Sequence, residues 1–252
     1  MEKIACITGA TSGIGEACAM TLAEQGYHLI LLARRANLLE SLKTNIQASY
    51  GVPIKTLCVD VRDREDLTYQ LEGLASDWKA VDILINNAGL SQGLEPIHEG
   101  DPEDWDRMID TNVKGLLYVT KIVSNWMVSR KKGHIFNIGS IAGKEVYPNG
   151  NVYCASKHAV DALNKAMRID LLPHGVKVSE INPGMVETEF SVVRFKGDVA
   201  RANKVYDGLE PLIAKDIAEA MWFIASRPAH VNINEMLIMP TAQANGTVVI
   251  RK

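Results

Sequence analysis

The chain has 252 residues, 47% hydrophobic and 23% charged, with a formal net charge of −3. That length and balance fit one α/β domain, or two small ones, able to bury a core without disulfide staples. The slight acidity leaves no basic footprint for nucleic acid, and no apolar run reaches the ~18 residues of a membrane span.

Short apolar runs predict buried strands at Lys3–Ile7, His28–Ala33, Ile54–Val59, Val81–Ile85, His134–Ile138, Lys177–Ile181 and Met236–Met239. Amphipathic stretches predict helices at Gly13–Gln25, Asn37–Ser49, Arg64–Trp78, Asp104–Arg130, Val152–Leu172 and Lys215–Ser226. Alternation of this kind implies a Rossmann-type, doubly wound parallel sheet of about seven strands with helices on both faces. A single domain over 1–252 is the simplest division. Residues 187–211 are polar and weakly periodic, the mark of a substrate lid or binding loop. The tail, 241–252, follows the last strand, and either packs on a neighbouring subunit or frays. Strand-like Ile4–Ile7 runs into a glycine loop and does not read as a secretory leader. Cys6, Cys18, Cys58 and Cys154 are scattered with no CxxC, as expected of reduced thiols in the cytoplasm, and no metal site is visible.

Thr8-Gly9-Ala10-Thr11-Ser12-Gly13-Ile14-Gly15 follows the first strand and opens the first helix. Glycines there permit a tight turn and close approach of backbone to a pyrophosphate, and the helix start supplies free N–H groups. The spacing is Gly-x3-Gly-x-Gly, not G-x-G-x-x-G. An NAD enzyme carries an acid about 20 residues further on. Here the second strand ends Ala33-Arg34-Arg35, and guanidinium is a preferred partner of phosphate, which favours NADP. The bland alternative is a solvated basic turn. Asp60-Val61 lies at the same sheet edge and could meet the adenine, although an Asp there could equally cap the next helix. Asn87-Ala88-Gly89 ends the fourth strand, where small residues let backbone pass a ligand or simply make a turn.

Tyr153 and Lys157 stand four residues apart on one predicted helix face. A nearby cation favours phenolate and lowers the phenol's pKa from ~10. Tyr and Lys at that spacing are also common on surface helices. Cys154 points about 100° away around the helix and has no assigned role.

Thr8–Gly15, Asn86–Gly89, Asn112 in Asp110-Thr111-Asn112-Val113-Lys114-Gly115, Ser140 after Ile138-Gly139, Tyr153-x3-Lys157 and Pro183-Gly184-Met185-Val186-x-Thr188 occur in this order. The set resembles the short-chain dehydrogenase/reductase family over nearly the whole chain, with no departure from its motifs. Leu32–Arg35, Asn151–Tyr153, Phe190–Asp198 and Pro228–Asn234 are similar to its NADP-dependent 3-hydroxy acid dehydrogenases, a group that includes serine 3-dehydrogenase and malonic semialdehyde reductase.

The resemblance implies that Tyr153 is the general acid and base, exchanging a proton with the substrate oxygen while hydride passes to or from the nicotinamide. It implies that Lys157 lowers the phenol's pKa and holds the ribose, helped by the charge of oxidised nicotinamide. It also implies that Ser140 steadies the substrate oxygen and that Asn112 holds a water in a proton relay. The NADP(H) site would comprise Gly9, Thr11, Ser12, Gly13, Ile14, Gly15, Arg34, Arg35, Asp60, Val61, Asn87, Ala88, Gly89, Tyr153, Lys157, Pro183, Gly184, Val186 and Thr188. A 3-hydroxy acid brings a carboxylate, for which an arginine offers a bidentate fork. Arg194 is the expected partner; Lys196, in the same segment, and Lys144 are lesser candidates. A homotetramer, or a homodimer, is implied as well. Competing readings are a general carbonyl reductase, a sulfoacetaldehyde reductase and a non-catalytic NADP-binding sensor.

Overall fold

The computed structural model describes residues 2–252. In chain order the elements are β1 (Ile4–Thr8), α1 (Gly13–Glu24), β2 (His28–Ala33), α2 (Ala36–Tyr50), β3 (Ile54–Cys58), α3 (Arg64–Glu72), β4 (Val81–Asn86), α4 (Pro102–Ile109), α5 (Leu116–Arg130), β5 (Gly133–Ile138), α6 (Asn151–Leu171), β6 (Val176–Pro183), β7 (Val186–Glu187), α7 (Phe190–Arg194), α8 (Val199–Lys204), β8 (Leu212–Ile213), α9 (Ala214–Ala225) and β9 (Glu235–Ile238). Seven strands pair in parallel in the order β3-β2-β1-β4-β5-β6-β9.

Successive residues of a strand face opposite sides of the sheet. Ala5, Ile7, Leu29 and Leu31 therefore pack beneath α1, α2 and α9, while Ile4, Cys6, Ile30 and Leu32 pack beneath α3, α5 and α6. With both faces covered, each central strand reads as an unbroken apolar run. The winding reverses between β1 and β4, which opens a crevice at their carboxyl ends. Three thiols are sealed inside this core. Burial pushes those of Cys6 and Cys18 up to about 12, and Cys154 is also fully buried. Cys58, on edge strand β3, is exposed, and its Sγ donates to the Arg34 carbonyl at 3.5 Å. Among the described residues no helix is long and apolar enough to cross a membrane.

Four segments depart from the sequence expectation. The helix expected over Arg64–Trp78 stops at Glu72, where Gly73 closes it and a short 3-10 turn, Ser76–Lys79, follows. The helix expected over Asp104–Arg130 begins at Pro102, capped by Asp101, and is interrupted by a π turn at Asp110–Gly115. There the Asn112 amide bonds both backbone groups of Leu90 at 2.8 Å, so the widened turn lets a helical residue hold a distant loop. The segment 187–211 is not irregular throughout, since it carries α7 and α8, and the β7–β8 pair closes its base. The tail does not fray but folds back on its own chain. Its Gln243 and Val249 bridge, Arg251 donates to the Val205 and Asp207 carbonyls, and the Lys252 N–H donates to Gly208 at 2.8 Å. It straps 187–211 of its own chain.

Candidate active site

A cavity of about 490 Å³ runs along the carboxyl ends of the central strands. One end is the glycine turn. Gly9 and Gly13 have φ of 64° and 53°, a left-handed backbone that suits glycine. Gly15 does not line the cavity, contrary to expectation. A Cβ there would press on the Gly9 carbonyl and come within 2.5 Å of Asn87 Nδ2, so its part is close packing of helix on turn. Thr8 and Asn87 lock the two strand ends together. Thr8 Oγ1 accepts from the N–H groups of Asn87 and Ala88 at 3.0 and 2.9 Å, and Asn87 Nδ2 donates to the carbonyls of Thr8 and Gly9. The Ser12 side chain makes no capping bond, which leaves the first N–H groups of α1 facing the cavity.

Arg34 and Arg35 stand exposed at this end. Arg35 Nη2 donates to Thr11 and, at 3.1 Å, to Glu189 of segment 187–211. Asp60 does not cap α3; Asp63 does, accepting from Glu65 and Asp66. The Asp60 carboxylate lies on the cavity wall, with Arg62 at 2.7 Å and Arg34 at 3.9 Å. Burial works against its charge, but hydrogen bonds from Arg62 win and hold its pKa below the usual carboxylate range.

Across the middle of the cavity, Ala88, Gly89, Pro183, Gly184, Val186 and Thr188 form the walls with Val61 and Ile14. A Cβ on Gly13 would touch Thr188 at 3.1 Å, so the start of segment 187–211 already abuts the glycine turn.

At the far end Ser140, Tyr153 and Lys157 converge. Ser140 begins a 3-10 turn after β5; its Oγ accepts from the Ala142 N–H at 3.1 Å, which leaves the hydroxyl proton available. Lys157 Nζ donates to the Ile138 carbonyl at 2.8 Å and lies 6.0 Å from the centre of the Tyr153 ring. Burial draws Lys157 down to about 8, against the field of Glu180. Burial also raises the Tyr153 phenol above its usual range, opposed by the Arg194 charge and by the Ser140 hydroxyl. The expected lowering of that phenol is thus not its state in the chain alone. Asn112 does not line the cavity, and both ends of its amide are taken by Leu90 and by Ser156 Oγ. Its side chain braces the wall at Leu90 and the helix between Tyr153 and Lys157.

Of the three candidate cations, the structure brings one into the site. Lys144 lies outside the cavity, held by Asp161, Glu180 and Glu235. Lys196 is paired with Asp101 and, at 2.8 Å, with Asp104. The Arg194 guanidinium lies 5.2 Å from the Tyr153 ring centre. Among the described residues it bonds only neutral oxygens, Ser91 Oγ at 3.0 Å and Tyr147 Oη at 2.6 Å. Tyr147 and Ser91 escaped the sequence reading, and Phe190 and Gln243 enter it only within longer segments, without a place in the site. The signal for Tyr147 is a tyrosine in the short loop between Ser140 and Tyr153.

Comparisons with known proteins give the family and the fold. The model of the short chain dehydrogenase family matches residues 3–198. The NADP-dependent 3-hydroxy acid dehydrogenase YdfG of Salmonella typhi is 46% identical over 242 residues, 96% of each chain. Sulfoacetaldehyde reductase 2 of Chromohalobacter salexigens is 42% identical over 245 residues, 97% of this chain and 96% of that one. The closed form of a serine dehydrogenase complexed with NADP+ superposes with a TM-score of 0.92 at 43% identity, covering 99% of both chains.

Proposed function

Because the chain belongs to the short-chain dehydrogenase family, we propose that it is an NADP-dependent oxidoreductase acting on short 3-hydroxy acids or their semialdehydes. The cofactor fits the residues present. The left-handed Gly9 and Gly13 and the bare start of α1 make a cradle for a pyrophosphate, and Arg34 and Arg35 offer guanidinium to a 2′-phosphate. When bound, NADP(H) supplies the hydride acceptor or donor.

The chain's own groups do the rest. In the oxidative direction the Tyr153 oxygen takes the substrate's hydroxyl proton, and in reduction it returns one. Burial keeps the phenol protonated, so oxidation needs added positive charge, and Lys157 four residues on provides part of it. Lys157, near 8, exchanges its own proton readily at neutral to mildly alkaline pH. The Ser140 hydroxyl donates to the substrate oxygen and steadies charge gathering there.

The observation that carries the substrate class is Arg194, a cation on the wall beside Tyr153 with neutral partners only. An anionic group on the substrate gives it the charged partner it lacks, and the fork suits carboxylate. A sulfonate offers the same charge, and the likeness to a sulfoacetaldehyde reductase keeps that as a second reading. The test is NADP+ reduction with serine, 3-hydroxypropionate, 3-hydroxybutyrate and isethionate side by side, with NAD+ as control. Turnover of the carboxylates is expected; turnover of isethionate alone moves the substrate class to sulfonates. Arg194→Ala should raise KM for the hydroxy acid about 10–100-fold, the worth of one charged hydrogen-bonded contact. An unchanged KM would remove Arg194 from the substrate site. We also propose that the chain assembles as a homotetramer or homodimer in the cytoplasm; sedimentation of a single monomeric species would exclude the assembly.

A further inference from the structure

Behind Ser140 lies a buried polar network whose members take no direct part in the reaction above. The Ser140 N–H donates to Asn182 Oδ1 at 3.0 Å. Asn182 sits near the end of β6, and Glu180 precedes it by two residues on the same face; both are 0% exposed. Asn182 Nδ2 and Glu180 Oε1, a donor and an acceptor, have no other hydrogen-bond partner among the described residues, and the neighbouring Asn182 amide favours the charged form of Glu180. The other Glu180 oxygen meets Lys144 Nζ at 3.3 Å, and Lys144 is held in turn by Asp161 and Glu235. Gly139 makes room for this arrangement. Any Cβ there would collide with Asn182 Oδ1 and come within 2.5 Å of Glu180 Oε1.

An amide and a carboxylate inside a sheet are costly unless bonded, and an apolar pair would fill the same space at less cost. Glu180 acts on the cavity through its field on Lys157, and Asn182 acts on it through a hydrogen bond from the Ser140 backbone. We propose that Asn182 is a positioning residue for Ser140, and that Glu180, clamped by Lys144, holds Asn182 in place. Ser140 is extended, with φ −176° and ψ 159°, and its N–H has Asn182 as its partner. That bond fixes the plane from which the serine hydroxyl leaves the backbone. The proposal rests on the reading of Ser140 as the group facing the substrate oxygen.

Displacing a reacting group by about 1 Å costs on the order of 10²-fold in rate. Asn182→Ala is therefore expected to lower kcat about 10–100-fold while the Kd for NADPH, read by fluorescence titration, stays within about twofold. The decisive arm is a double-mutant cycle with Ser140→Ala. Once the serine hydroxyl is gone its placement no longer matters, so adding Asn182→Ala should change kcat by less than about twofold. A purely structural role predicts the opposite, the same fold loss in both backgrounds and weaker NADPH binding. Additive losses, or full kcat in Asn182→Ala, overturn the proposal while leaving Ser140 in its role. Full kcat in Ser140→Ala alone overturns the role of Ser140 and the proposal with it. If Asn182→Ala does not fold, Asn182→Ser replaces it in the cycle, because a shorter hydroxyl keeps the site polar but falls short of the Ser140 N–H.

Discussion

At the scale of single residues, the cofactor end is a matter of two guanidinium groups with different neighbours. Arg34 stands 3.9 Å from Asp60, whereas Arg35 bonds Thr11 and Glu189. Both side chains are largely exposed, so their ion pairs are weak and give way easily to a dianionic phosphate. Arg35→Ala should raise KM for NADP+ about tenfold and leave KM for NAD+ within about twofold, measured by initial rates with each cofactor. Equal effects on both cofactors would show that Arg35 serves the turn rather than the phosphate. At the other end Arg194 owes its position to hydrogen bonds with Tyr147 and Ser91. Nothing in a single sequence pairs a loop tyrosine with an arginine 47 residues later.

At the scale of elements, what was legible is what is local. The seven strands announce themselves by apolar runs, and the glycine turn by residues that tolerate left-handed backbone. The interruptions were hidden because their causes are distant. The π turn at Asp110–Gly115 answers to Leu90, 22 residues before Asn112. The tail finds its partners 44 and 46 residues upstream, at Asp207 and Val205. It also reaches the site, since Gln243 Oε1 accepts from the Met185 N–H at 2.8 Å in the loop after β6. Removing residues 241–252 should therefore loosen 187–211 without unfolding the sheet. Trypsin is expected to cut around Lys196, Arg201 and Lys204 about tenfold faster, with little change in Tm. Unchanged cleavage would mean that α7 and α8 hold themselves.

At the scale of the whole molecule, the sheet carries a buried titratable group that ties stability to acidity. His134, on β5, is 5% exposed, and its Nε2 lies 2.8 Å from Ser179 Oγ. Ser179 donates its one proton to the Ile233 carbonyl at 2.6 Å, so the histidine donates from Nε2, and its lowered pKa keeps it neutral. Burial, with Lys177 nearby, draws its pKa from 6.5 to about 3. Below pH 6.5 the unfolded chain takes up a proton that the folded chain refuses. The stabilisation is complete above 6.5 and is lost as the pH falls toward 3, by up to about 1.4 kcal/mol per unit. Urea unfolding between pH 7 and 5 should show that slope, and His134→Gln should flatten it while the carboxylate contribution stays common to both curves. Identical slopes would mean that the imidazole is protonated inside the fold. The thiols have a practical consequence. With Cys6, Cys18 and Cys154 sealed in the core, Cys58 is the one cysteine thiol in reach of solvent. A maleimide fluorophore mixed with the unsubstituted protein attaches there, beside the Arg34 carbonyl, and its emission becomes a tracer for phosphate docking at the arginine pair.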